Sequence, residues 1–149
     1  MGKPPAPFYH QEMYSNLCGF YAATHFLAGR LTEKVFVSQT TTFYATQLKD
    51  AGVGRDFAKD LALGGNDPEA VANVLKGEAE KKTFITERDL DYYTRILLAL
   101  RSMHHFITIL KGSDKVCWNY DSLQDAPESI PDIKEFMKSH SASVYFVAK

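Results

Sequence analysis

Cys18 stands where a cysteine can be made reactive. Gln11-Glu12-Met13-Tyr14-Ser15-Asn16 leads into Leu17-Cys18-Gly19-Phe20-Tyr21-Ala22-Ala23, a stretch that turns helical near the cysteine. In the first turn of a helix a thiol meets backbone amides and the positive end of the dipole, both of which favour the thiolate. A thiolate attacks acyl carbons and forms a covalent acyl-enzyme. The backbone amide of Cys18 and an upstream side-chain amide can hold the oxyanion of the tetrahedral intermediate; Gln11 is the first candidate and Asn16 the second.

Such a nucleophile needs a base, and His105 opens the run His105-Phe106-Ile107-Thr108-Ile109. A histidine at the mouth of a buried strand can take the thiol proton, or pair with the thiolate as imidazolium, and later protonate a leaving amine. Its neighbour His104 is the alternative. Tyr120-Asp121-Ser122-Leu123 follows the next strand-like run, so a hairpin sets Asp121 beside His105 to orient the ring, with Asn119 as the alternative orienter. Each residue also has a plainer reading: a buried apolar thiol, a strand-end histidine in water, a turn aspartate.

The elements that must position these groups follow from pattern. Leu17, Phe20, Tyr21, Thr24 and Leu27 have helical spacing over 17–28, with Ser15 or Asn16 as the cap and Gly29 as a left-handed stop. A second helix is predicted over 34–49, broken by Ala51-Gly52-Val53-Gly54, and could form a hairpin with the first. Gly64-Gly65-Asn66-Asp67-Pro68 is a turn into a third helix, capped by Asn66 or Asp67, with Ala70, Val71, Val74 and Leu75 inward and an end near Gly77. A short strand is expected over 82–86 and a helix over 89–100 that may turn into a strand before Arg101. Three strands are expected over 105–110, 116–120 and 144–148, with Lys111-Gly112-Ser113-Asp114 as a hairpin turn. Pro131-Asp132 opens a last helix with Ile133, Phe136 and Met137 inward. Helices first, antiparallel strands after, make the class α+β.

Composition narrows the partners. The 149 residues carry 17 basic and 18 acidic side chains for a formal net charge of −1, so no overall field draws in nucleic acid or an anionic membrane. No apolar stretch approaches the roughly 20 residues of a membrane span. Residues 1–9, with three prolines, read as an extended leader without the apolar centre of a signal peptide, and 10–149 as a single domain. Two cysteines in unlike contexts make a disulfide scaffold a poor reading and a reducing compartment the better one. His25, His104, Cys117 and Cys18 match no common zinc spacing, so no metal or cofactor is expected. Cys117 reads as a core thiol, and His140 as a helix-end residue bonded to terminal carbonyls.

With these residues in place the chain resembles the Josephin domains, the deubiquitinase branch of the papain-like cysteine proteases. The likeness lies in His10-Gln11-Glu12 and Ser15-Asn16-Leu17-Cys18, in Gly64-Gly65 through Leu75, and most in His105-Phe106-Ile107-Thr108-Ile109, Trp118-Asn119-Tyr120-Asp121-Ser122-Leu123, Pro127-Glu128 and Val144-Tyr145-Phe146-Val147. It implies a papain-like fold, a triad of Cys18, His105 and Asp121, an oxyanion glutamine at Gln11, and cleavage of ubiquitin or ubiquitin-like conjugates; separately, a monomer in the cytoplasm is expected. The chain departs from the family in having Asp121 for an asparagine, Phe106 for a tryptophan, and Gln11 further upstream of the cysteine. A divergent chain of this kind resembles a pathogen effector acting on host ubiquitin. The aromatic arm of Phe36, Phe43, Tyr44 and Phe57 is where a ubiquitin-like substrate would dock. The same site also suits glutamine deamidation or acyl transfer on a protein substrate, and a catalytically silent binding module would keep the fold alone.

Overall fold

The aromatic and β-branched runs of the last third of the sequence become the centre of the molecule, and the helices of the first half pack on them. A computed structural model describes residues 2–12, 15–101 and 105–149. Among the described residues the order is α1 (Cys18–Phe26), α2 (Glu33–Gln47), a single 3-10 turn (Lys49–Ala51), α3 (Arg55–Leu63), α4 (Pro68–Val74), β1 (Glu80–Lys82), α5 (Glu87–Tyr92), β2 (Arg95–Leu100), β3 (His105–Lys111), β4 (Cys117–Tyr120), β5 (Glu128–Ile130), α6 (Ile133–Ser139) and β6 (Ala142–Ala148). The strands form one antiparallel sheet in the order β1-β6-β2-β3-β4-β5. The class is α+β. No described helix is long and apolar enough to cross a membrane.

Strand alternation divides the core in two. Leu97, Ala99, Phe106 and Phe146 face α1, together with Val71 and Leu75 from the α4 region. Ile96, Leu98, Ile107, Ile109 and Cys117 face the other way, against Leu90 of α5 and Ile133, Phe136 and Met137 of α6. The sheet is therefore covered on both sides. Tyr44, Ala58, Ala62 and Ala70 make a satellite core that joins α2, α3 and α4.

Several sequence expectations need correction. The helix expected over 89–100 is α5 followed by β2. Ile96-Leu97-Leu98-Ala99-Leu100 is apolar at every position, a pattern that suits a buried helix or a buried strand equally. Its place between β6 and β3, buried on both faces, decides for the strand. The strand expected over 82–86 is β1, ending at Lys82, because Thr86 caps α5 in a reciprocal capping box with Asp89. The break expected at Ala51-Gly52-Val53-Gly54 is present, with Gly52 at a left-handed φ of +73°, but the helix that follows it, α3, is an addition to the expected elements. Neither Ser15 nor Asn16 caps α1: Leu17 holds the cap position, and Ser15 Oγ instead accepts the Leu17 amide at 3.2 Å. β5 was absent from the three strands expected, since a three-residue edge strand carries too short a pattern to read.

Other expectations match. Gly29 takes a left-handed φ of +84° at the end of α1. Asp67 caps α4 through the Ala70 amide at 3.3 Å, with Pro68 in the first turn. His140 contacts the Phe136 carbonyl through Nδ1 at 2.9 Å and stacks on that residue's ring. Residues 6–12 lie along α1 and β4: the Tyr120 hydroxyl donates to the Ala6 carbonyl at 2.7 Å and accepts the Ala6 amide at 3.0 Å.

Candidate active site

Cys18 is the first residue of α1, and the glycine after it has a packing reason. A Cβ at Gly19 would come within 3.1 Å of a Val71 methyl and 3.3 Å of Asn66 Oδ1. A side chain there would require Val71 or Asn66 to yield by a few tenths of an ångström, so glycine suits the close approach of α1 to the loop before α4. First-turn amides of any α-helix have no acceptor inside that helix, so their dipoles are directed at the thiol's surroundings.

β3 runs alongside α1 and is tied to it by a buried bond, the Thr108 hydroxyl donating to the Ala22 carbonyl at 2.7 Å. Three residues back along the strand (about 10 Å) and four back along the helix (about 6 Å) lie His105 and Cys18. The ring of His105 hydrogen-bonds the Cys18 thiol on one side. On the other, its Nε2 meets Asp121 Oδ1 at 2.7 Å. With Nε2 occupied by the carboxylate, Nδ1 is the nitrogen left for sulfur. The Cys18, His105 and Asp121 side chains thus form one continuous chain of contacts.

Asp121 follows β4, which pairs with β3 in the hairpin expected from the sequence. The same Oδ1 accepts the Leu123 amide at 3.1 Å, and the Asp121 carbonyl accepts the Gln124 amide at 2.9 Å, so the carboxylate is held in a tight turn. Asn119, the alternative orienter, pairs across the sheet with Ile109, and its buried Oδ1 has no hydrogen-bond partner. His104 lies outside the described residues.

Charge follows from these contacts. Burial opposes a proton on His105, yet the hydrogen bonds and charges of Asp121 and Cys18 outweigh it, and the pKa rises from 6.5 to about 9. Burial likewise pushes the Asp121 carboxyl up, but its bonds to His105 and the Leu123 amide, together with the charge of the ring, hold it below the usual carboxylate value. Near neutral pH this is an imidazolium held between the Asp121 carboxylate and the Cys18 sulfur. Burial raises the Cys117 thiol, in line with its reading as an inert core residue.

Gln11 is 7% exposed and faces the same cleft. Its Nε2 donates to the Ser15 carbonyl at 2.7 Å, its Oε1 accepts from the Ser122 hydroxyl at 2.9 Å, and its backbone amide donates to the Ser122 carbonyl at 2.8 Å. Asn16, the second oxyanion candidate, is exposed at the cleft's edge. Sequence pattern pointed to Gln11 but not to Ser122, whose only signal is its place next to Asp121.

The cleft holds about 1040 Å³. Cys18, His105 and Gln11 are on its floor, with the Gly64–Pro68 loop, Tyr44 and Leu61 from the arm side and Leu100, Arg101 and Leu123 from the sheet side. Of the aromatic arm, Phe36 and Tyr44 are buried, and Phe57 is 54% exposed. No three His, Cys, Asp or Glu among the described residues are arranged to hold a metal ion. Set against protein-family models and curated proteins, the sequence matches none of them.

Proposed function

We propose that the protein is a cysteine hydrolase of papain-like fold that cleaves ubiquitin or ubiquitin-like conjugates at an amide or isopeptide bond. The observation that carries this reading is the unbroken run of contacts from the Cys18 thiol through the His105 ring to Asp121, at the floor of an open cleft. A nucleophile at the N-terminus of a helix packed on an antiparallel sheet is also what the papain-like architecture requires.

The sulfur of Cys18 attacks the scissile carbonyl carbon as thiolate. The oxyanion that forms is held by the Gln11 side-chain amide and the backbone at the start of α1. As the C–N bond breaks, the His105 imidazolium gives its proton to the leaving amine, and the acyl group remains as a thioester on Cys18. Water then gives a proton to the neutral ring and its oxygen to the acyl carbon. The C–S bond breaks, the acid product leaves, and the thiolate and imidazolium are restored. Asp121 keeps the proton on Nε2 throughout and favours the charged ring. Neither Cys18 nor Cys117 is in a disulfide, which fits the cytoplasmic site of action of this reading.

The test is a ubiquitin bearing an electrophile at its C-terminus. It is expected to label Cys18 once per chain, to spare Cys117 and to fail on a Cys18→Ala variant. Wild-type protein that is neither labelled nor able to cleave any ubiquitin linkage removes the reading. Labelling by a general thiol reagent with a one-dalton gain in a protein partner, and intact ubiquitin chains, would replace it with deamidation.

A further inference from the structure

We propose that Ser122 is a positioning residue for this reaction, setting the side-chain amide of Gln11 so that its nitrogen end faces the cleft. The proposal rests on the hydrolase reading above. A side-chain amide has two ends of nearly equal shape and opposite chemistry, and only the NH₂ end can receive an oxyanion. With the carbonyl end turned to the cleft, lone pairs would meet negative charge.

Two contacts decide the orientation. The Ser15 carbonyl can only accept, so the group 2.7 Å from it must be the Gln11 nitrogen. The oxygen end then points at Ser122 Oγ, 2.9 Å away, and the hydroxyl has to donate. One N–H is used by Ser15 and the other is left for the cleft that Gln11 lines. Ser122 is 1% exposed, so no water replaces its hydroxyl without rearrangement. Its carbonyl also accepts the Gln11 backbone amide, which fixes the segment as well as the side chain.

Ser122 directly follows Asp121. The dipeptide Asp121-Ser122 therefore registers both halves of the site: its first residue orients the base, its second orients the oxyanion donor. Without the hydroxyl, Oε1 is buried with no donor, and only the Ser15 carbonyl still favours the present orientation of the amide.

The experiment is a double-mutant cycle on hydrolysis of a ubiquitin C-terminal fluorogenic amide, with Ser122→Ala, Gln11→Ala and the pair. Ser122→Ala is expected to lower kcat by roughly 10- to 100-fold with KM unchanged, less than or equal to the loss on removing an oxyanion donor outright. In the Gln11→Ala background the same change is expected to add almost nothing. Ser122→Thr, which keeps the hydroxyl, recovers most of the lost kcat. Alkylation of Cys18 by iodoacetamide, which passes through no oxyanion, keeps its rate and pH profile. If Ser122→Ala does not fold, Ser122→Cys supplies a similar volume with a weaker donor and takes its place. Losses that add in the double variant, an unchanged kcat, or a parallel fall in alkylation rate overturn the proposal. Wild-type protein that neither labels at Cys18 nor cleaves takes the hydrolase reading with it, an outcome distinct from these.

Discussion

His105 and His25 are both buried, at 5% and 0% exposure, and both contact α1 or belong to it, yet they carry opposite charge tendencies. His105 meets a carboxylate and a thiol, and its pKa rises to about 9. His25 sits among Phe8, Tyr9 and Tyr120, and burial lowers its pKa to about 4, a fall that the charge of Asp121 only partly offsets. Its Nε2 accepts the Tyr9 amide at 2.8 Å, which requires the ring to be neutral, and Nδ1 has no partner. Burial alone therefore does not set the state of a histidine. The groups that desolvation leaves in contact with it do.

The two rings also differ in what they hold. His105 joins a helix tip to a strand end, where chemistry is proposed. His25 pins Phe8 and Tyr9 to the same helix, and the chain continues from there to Gln11. One ring lies between a carboxylate and a sulfur, the other among aromatic rings and a backbone amide.

The largest contrast is expected in activity. His105→Ala is predicted to lower hydrolysis by about 10³- to 10⁴-fold, the range of a lost general acid and base, whereas His25→Phe keeps the stacking and most of the rate. Steady-state kinetics on one ubiquitin amide substrate measures both. Comparable losses would mean that His105 has no special role.

Next comes the carboxylate. Asp121→Ala is expected to cost roughly 10²-fold in kcat, and Asp121→Asn less, because the amide oxygen still accepts from Nε2–H. In Asp121→Asn the ring loses a charge partner, so the His105 pKa falls from about 9 towards 6.5 and the alkaline limb of the rate profile moves to lower pH. An unmoved limb would show that Asp121 does not set the ring's charge.

Stability against pH should separate the rings by sign. The His25 pKa is lower in the fold than its ordinary 6.5, so its contribution is whole above 6.5 and lost as pH falls towards 4, by about 3 kcal/mol. The His105 pKa is raised, so its contribution is whole below 6.5 and lost as pH rises towards 9. Urea unfolding of His25→Phe from pH 4 to 7 is expected to have a flatter slope than wild type. The smallest effect concerns the tie between the halves: Thr108→Val removes the bond to Ala22 and is expected to cost about 1 kcal/mol in the same assay.

Much of this was legible before any coordinates. The Cys18 segment, the His105 run and the Asp121 turn announce themselves because residue type and local pattern coincide there: helix start, strand start, strand end. Gln11 was legible as an amide upstream of the thiol. Ser122 was not, since a serine beside an aspartate is ordinary and its partner lies 111 positions away. The Ile96–Leu100 run was not either, because an unbroken apolar stretch suits two elements and local pattern cannot choose between them.

What sequence determined by itself were the groups bound to one short segment: the α+β class, the left-handed stop at Gly29, the hairpin carrying β3 and β4, and the short segments that carry the candidate thiol, imidazole and acid. Tertiary structure alone decided that β2 is a strand between β6 and β3, that Asp121 rather than Asn119 meets His105, and that His25 is neutral while His105 is charged. Those outcomes depend on which distant groups remain in contact once water is excluded, and that is a property of the packed chain and not of any window along it.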